Sequence, residues 1–280
     1  MATADPLGDY LASLSPELAV LHENPLEDVL ELGDGRSVTV AEVFSVLSEQ
    51  VAGPVAKRSL REDRGGAGML AGAWRNATLG QARAVLALRQ AGLLVEAQAN
   101  ARGCIEHAVM LRRLALAADD GQLEPLMEDV AYQAQQRGVK QLDYLEELDA
   151  ANSGTHRALL QAARAHLETG QVPPDKNRPR TRTVREVFDG VPHGRHLYDV
   201  YGRLSEHTHA GLASAIPYLD LHTASAVLGE PQSVAWAETA ALLCWSCWAA
   251  EDAMLRFLDD GIDLSTRQAA LLARIGLAPG

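Results

Sequence analysis

"LLVEAQANARGCIEHAVMLRRLALAA", residues 93–118, decides the fold. Leu94, Ala97, Ala101, Cys104, Ala108, Leu111 and Ala115 recur at spacings of three and four, which draws one apolar stripe along a helix. Alanine and leucine lose little side-chain entropy in a helix, whereas strands favour β-branched and aromatic residues. Aromatic residues are only 5% of this chain, so the same preference holds along its length. The pattern predicts an all-α multi-helix bundle with at most a small β-hairpin near the N-terminus.

Working outward, "LGQARAVLALRQAG" ends at Gly92, a natural C-cap, and predicts a helix from Thr78. Further helices are expected over 121–136, 139–150 and 155–169, the last stopping at Gly170. Thr183 caps a short turn. A helix over 193–215 follows and is ended or kinked by Pro217. "PYLDLHTASAVLG", 217–229, is ambiguous and able to be extended. Pro231 suits the first turn of a helix reaching about Asp260, and Ser265 caps a last one. Toward the N-terminus, residues 5–22 read as one or two short helices split at Ser15-Pro16. Gly33-Asp34-Gly35 between apolar runs reads as a hairpin turn. "REDRGGAGM", 61–69, reads as a flexible break between an N-terminal helical appendage, 1–66, and a main helical bundle, 67–280. "RGGAGMLAG" has no Lys-Ser/Thr after it, so it reads as linker rather than P-loop. Helices 93–118, 193–215 and 231–260 are expected at the centre.

The bulk numbers exclude several function classes. A chain of 280 residues has room for a sizeable core. A formal charge of −12 repels phosphate backbones, which argues against broad nucleic-acid binding. The basic run "KNRPRTRTVR", 176–185, reads as a solvated loop. Three cysteines, Cys104, Cys244 and Cys247, are too few and too odd for a disulfide framework and fit a reducing compartment. "MATADPLGDYLASL" has no basic-then-apolar signal pattern. The most apolar run, 235–258, is broken by Glu238, Glu251 and Asp252, short of the about 18 to 20 apolar residues a span needs. The expectation is a cytoplasmic protein with no membrane partner.

One stretch carries candidate chemistry: "YGRLSEHTHAGL", 201–212. On a helical wheel Leu197, Tyr201, Leu204, Thr208 and Leu212 form a buried stripe, and Glu206 points to solvent. His207 and His209 fall on opposite margins. Arg203 shares a margin with His207, and Ser205 shares the other with His209. An arginine that stabilises a phosphorane-like anion beside a histidine that moves a proton needs no metal or cofactor. On helix 93–118, Arg102 and Glu106 lie opposite the Cys104 stripe. They form either an exposed ion pair or, if that helix is buried on two faces, part of an interior polar cluster. Tyr201, Ser205 or His209 is then the partner of Glu106. Cys244-Trp-Ser-Cys247 has CxxC spacing but no second ligand pair, and reads as core. His193, His196 and His207 with Glu206 or Asp199 make a weak metal set, so no metal is expected.

The Arg203-x5-His209 spacing resembles the signature of the HEPN superfamily of helical bundles. That resemblance implies a metal-independent ribonuclease of bacterial defence or stress systems. It carries Arg203, with His209 or His207, to a cleft of a homodimer that takes RNA at a local site, with an antitoxin or other protein partner. "GLLVEAQANARGCIEHAVMLRRL", 92–114, and "YDVYGRLSEHTHAGLAS", 198–214, resemble the DUF5677 family of bacterial α-helical proteins over about residues 75–260. That resemblance marks Arg102, Glu106, Tyr201, Ser205 and His209 as a cluster. The leading reading is a nuclease; the alternative is a non-enzymatic scaffold or protein-binding module with a structural Glu-His polar cluster.

Overall fold

The computed structural model describes residues 29–31, 37–39, 60–152, 154–169, 183–208, 219–220, 225–226 and 236–259, with positions 266, 269, 270 and 273. The expected helices over 5–22, the basic run up to residue 182, and residues 209–215 of the motif helix lie outside them. The chain groups into two compact units, Met1–Leu116 with Val184–Gly280, and Ala117–Thr183.

The first unit contains α1 (Gly65–Gln90), most of α2 (Leu94–Asp119), and, after the second unit, α5 (Val184–Phe188), α6 (Gly194–Thr208) and α7 (Trp236–Met254). A 3-10 turn, Leu255–Phe257, extends α7. The all-α expectation holds. The expected hairpin is present as β1 (Val29–Glu31) paired antiparallel with β2 (Ser37–Thr39), on either side of the Gly33-Asp34-Gly35 stretch. A second ladder, β3 (Leu219–Asp220) with β4 (Ser225–Ala226), lies in the stretch read as able to be extended.

Side-chain bonds fix the helix directions. Gly92 adopts φ 77°, and the Leu93 amide donates to the Leu88 carbonyl at 2.8 Å, so α1 reverses into α2 at the expected C-cap. The Cys104 thiol then donates to the Thr78 carbonyl across that hairpin. The α2–α7 pair is joined by Thr239 to Gln98 at one level and Arg112 to Asp252 at another, with sequence separations of 141 and 140 residues. A constant separation means the two helices run parallel. Tyr201 of α6 meets Arg102, whereas Gly190, just before α6, lies beside the Arg113 side chain, so α6 runs antiparallel to α2. The result is an up-down-up-down bundle of α1, α2, α6 and α7.

Its centre is α2. Ala97, Ala101, Cys104, Ala108, Leu111 and Ala115 are all buried, as the stripe requires, and Val109, Arg112, Arg113 and Leu114 are buried besides. The C-terminal half of α2 is therefore enclosed on nearly every side. Each fully buried leucine or isoleucine there, such as Ile105 or Leu114, contributes about 1.5–3 kcal/mol by leaving water.

Two expectations are corrected. The glycine-rich stretch read as a linker is the start of α1, which begins at Gly65 rather than near Thr78. Glycine costs about 1 kcal/mol in a helix interior, but docking overrides it here. The Arg61 amide donates to the Phe257 carbonyl, the Arg64 guanidinium donates to the Arg256 carbonyl, and Leu60 lies directly against Gly68. Residues 1–59 are described only at the first hairpin, so an appendage over 1–66 stays an expectation.

The second unit supplies the other correction. The helices expected over 121–136 and 139–150 are one, α3 (Leu123–Asn152), packed antiparallel on α4 (Arg157–Thr169). Gly138 is not a break. A Cβ there would stand 3.0 Å from a methyl of Leu167, so the glycine lets α4 approach. Among the described residues no helix is long and apolar enough to cross a membrane.

Candidate functional site: an Arg–Tyr–Glu clasp between two helices

Arg102 and Glu106 stand one turn apart on α2, and Tyr201 reaches them from α6. The Arg102 guanidinium donates to the Tyr201 hydroxyl at 2.9 Å. The same hydroxyl donates to a Glu106 carboxylate oxygen at 3.2 Å. One phenol thus serves as acceptor for the cation and donor to the anion. The Arg102 guanidinium carbon also stands 5.0 Å from the Tyr201 ring centroid, within cation–π range.

Aromatic packing holds Tyr201 in place. Phe188, buried at the end of α5, meets the Tyr198 ring edge-on at 5.8 Å and the Tyr201 ring at 5.2 Å. Tyr198 and Tyr201 lie nearly parallel, 6.1 Å apart. The bend that brings Phe188 over α6 depends on His193-Gly194. His193 takes φ 58°, a left-handed conformation uncommon outside glycine, and the Gly194 amide donates to the Val191 carbonyl. A Cβ on Gly194 would run into the Phe188 carbonyl.

Tyr201 is buried, whereas Arg102 and Glu106 are half-buried. Of the three expected partners of Glu106, Tyr201 is bonded to it, at a half-buried position. The Ser205 hydroxyl donates to the Tyr201 carbonyl one turn back, at 2.8 Å. Arg203 is half-buried on α6 and Glu206 is exposed, as the wheel places it. His207 belongs to α6, but its side chain, like the whole of His209, lies outside the described residues. The Glu106–His209 pairing therefore lies outside them too.

The other candidates fall as follows. Cys104, Cys244 and Cys247 are free and buried. Burial pushes the Cys244 thiol well above its ordinary value, and a hydrogen bond with Cys104, reinforced by burial, does the same to Cys247. Thiols held protonated are poor nucleophiles and poor metal ligands. His193 occupies the bend before α6, and His196 is half-buried. Among the described residues no group of three or more His, Cys, Asp or Glu is placed to hold a metal ion.

Sequence reading missed a second polar cluster. Asp252, inside the apolar α7, accepts from Arg112 of α2 and, at 3.0 Å, from Arg256 one turn along. Arg256 also donates to the Asp252 carbonyl at 2.7 Å. Next to it Glu251 is paired with Arg75 of α1. Asp252, Glu251, Arg112 and Arg256 are all buried. The signal was present: Glu251 and Asp252, adjacent carboxylates in a largely apolar run, each need a partner if that run is buried.

Residues 69–226 match the model of a family described as a family of unknown function, DUF5677. The chain belongs to the DUF5677 family. The DUF5677 match begins inside α1 and ends at β4, so it contains Arg102, Glu106 and Tyr201, and Arg112, but not Glu251, Asp252 or Arg256. No curated protein and no solved structure matches the chain.

Proposed function

We propose that this DUF5677 protein is a non-enzymatic helical scaffold or protein-binding module, in which Arg102, Tyr201 and Glu106 set the register of α6 on α2. The observation that supports it is the Tyr201 hydroxyl, which both accepts from Arg102 and donates to Glu106. A satisfied hydroxyl locked under two aromatic neighbours is suited to specifying one packing arrangement. The test is expression of the full chain with measurement of growth and of RNA integrity. Healthy growth and intact RNA, together with loss of stability in Tyr201→Phe, are expected. Cleavage of RNA by the pure protein would overturn the reading.

A second reading is a metal-independent ribonuclease of bacterial defence or stress, held in check by an antitoxin-like partner in the cytoplasm. Arg203 supports it, because it is half-buried on the helix that carries the motif rather than extended into water. In that reaction the ribose 2′-hydroxyl attacks the adjacent phosphorus and His209, or His207, takes its proton. The P–O5′ bond breaks to leave a 2′,3′-cyclic phosphate, the 5′-oxygen takes a proton from the imidazolium or from water, and Arg203 offsets the charge on the phosphoryl oxygens. Growth arrest on expression, persisting in a chelator-treated cleavage assay and abolished by His209→Ala with helicity intact, is the expected result. A harmless wild type that leaves RNA whole would exclude it.

A further inference from the structure

The α3–α4 hairpin carries exposed apolar side chains on one side. Leu159 is 70% exposed, Leu148 45% and Leu145 37%, with Tyr144 at 62% on their outer margin. Helix geometry puts the three leucines together. At about 100° per residue, Leu145 and Leu148 lie about 60° and about 120° to one side of Leu142. Leu142 is buried. Leu159 lies about 100° in the same rotational sense from Leu160, which is half-buried. Because α3 and α4 run antiparallel, equal senses about the two axes bring these residues to the same side of the hairpin.

They are also level along it. Gly138 meets Leu167 at one height and the His156 amide donates to Asp149 at another, which sets Leu159 opposite the turn between Leu145 and Leu148.

The charges occupy the opposite side. Arg164 donates to Glu146 at 2.9 Å and to Asp143 at 2.6 Å, and these carboxylates, Glu146 foremost, hold its guanidinium above its ordinary value. Between the bearings of Leu145 and Leu148 neither helix carries a carboxylate, a lysine or an arginine. Ala134 and Gln141, both exposed, continue that side on α3, where exposed Arg137 borders it about 20° beyond the bearing of Leu148, and His166 completes it on α4.

We propose that this leucine-bearing strip of α3–α4 is where a second copy of the chain docks, hairpin on hairpin. The occupant follows from charge. Each chain carries a formal −12, so two copies repel over most of their surface. A strip without carboxylates is where two such acidic chains meet without placing their acidic groups opposite each other. A two-fold contact repeats one patch on both partners, and an apolar patch is self-complementary. Exposed leucines gathered this way on a two-helix unit mark an interaction surface rather than scattered apolar residues. The inference rests on the second unit alone and on neither reading of the clasp.

Sedimentation equilibrium of the full chain at micromolar concentration tests it. The wild type is expected at twice the 30.0 kDa chain mass. Leu148→Glu and Leu159→Glu are each expected to return it to single-chain mass with helical circular dichroism unchanged. Gln161→Glu, on the opposite side, is expected to stay dimeric. Should either glutamate variant lose helicity, Leu159→Gln is the milder replacement, expected to weaken dimerisation at least tenfold. A wild type of single-chain mass, or a dimer that survives both leucine replacements, overturns the proposal.

Discussion

At Tyr201 a single oxygen atom joins a cation on one helix to an anion on the same helix a turn away. Removing it takes a hydrogen bond from each. Tyr201→Phe is expected to destabilise the fold by about 1–2 kcal/mol, read from urea unfolding, because hydrogen bonds to charged groups exceed neutral ones. In the Glu106→Gln background the same change should cost less, since the pair is coupled. The thiols give a pH prediction. Cys244, by burial, and Cys247, chiefly through Cys104, keep their protons in the folded chain at a pH where unfolded thiols, near pKa about 8.5, release them. Their contribution is full below about pH 8.5 and is lost as pH rises toward the folded values. The melting temperature is expected to fall through the alkaline range, with a shallower slope in Cys244→Ala with Cys247→Ala. Part of this was legible beforehand. Glu106 demands a partner if buried, and three residues were in reach of the demand. Choosing Tyr201 among them needed the relative rotation of α2 and α6, which no single helix encodes.

At the scale of elements, periodicity was informative and glycine was not. The stripe of α2 is buried from Ala97 to Ala115, with Leu94 half-buried at its start, because a pattern of small and large apolar residues at spacings of three and four has one helical solution. Gly92 ends α1 through its positive φ, but Gly138 and Gly68 sit inside helices, where the absent side chain serves a neighbour, Leu167 or Leu60. Composition alone cannot separate these two uses. The bend before α6 is the sharpest case. Gly194→Ala is expected to cost about 3 kcal/mol or more, because the new methyl meets the Phe188 backbone and not a side chain that can rotate away. A sharply lowered melting temperature and a weakened near-ultraviolet tyrosine signal would show it. If that variant melts with the wild type, the packing of Phe188 over Tyr201 does not depend on this corner.

Over the whole molecule, the all-α class and the central place of α2 were readable from pattern, because burial leaves its mark on every turn. The charge cluster at Asp252 was not, because its partners on α2 and α7 stand 140 residues apart and pairing at that distance has no period. Asp252→Ala is expected to destabilise by about 3–5 kcal/mol, measured by chemical denaturation, since it leaves Arg112 and Arg256 enclosed without their counter-ion. Replacing Arg112, Asp252 and Arg256 together by methionine and leucine should cost far less than that single change.

That enclosed trio also bears on how such a chain diverges. A lone substitution among its members strands an ion in the interior, whereas a concerted one does not. Descendants of this sequence should therefore keep the set or exchange it wholesale, crossing from a salted interior to an oily one in a single stride.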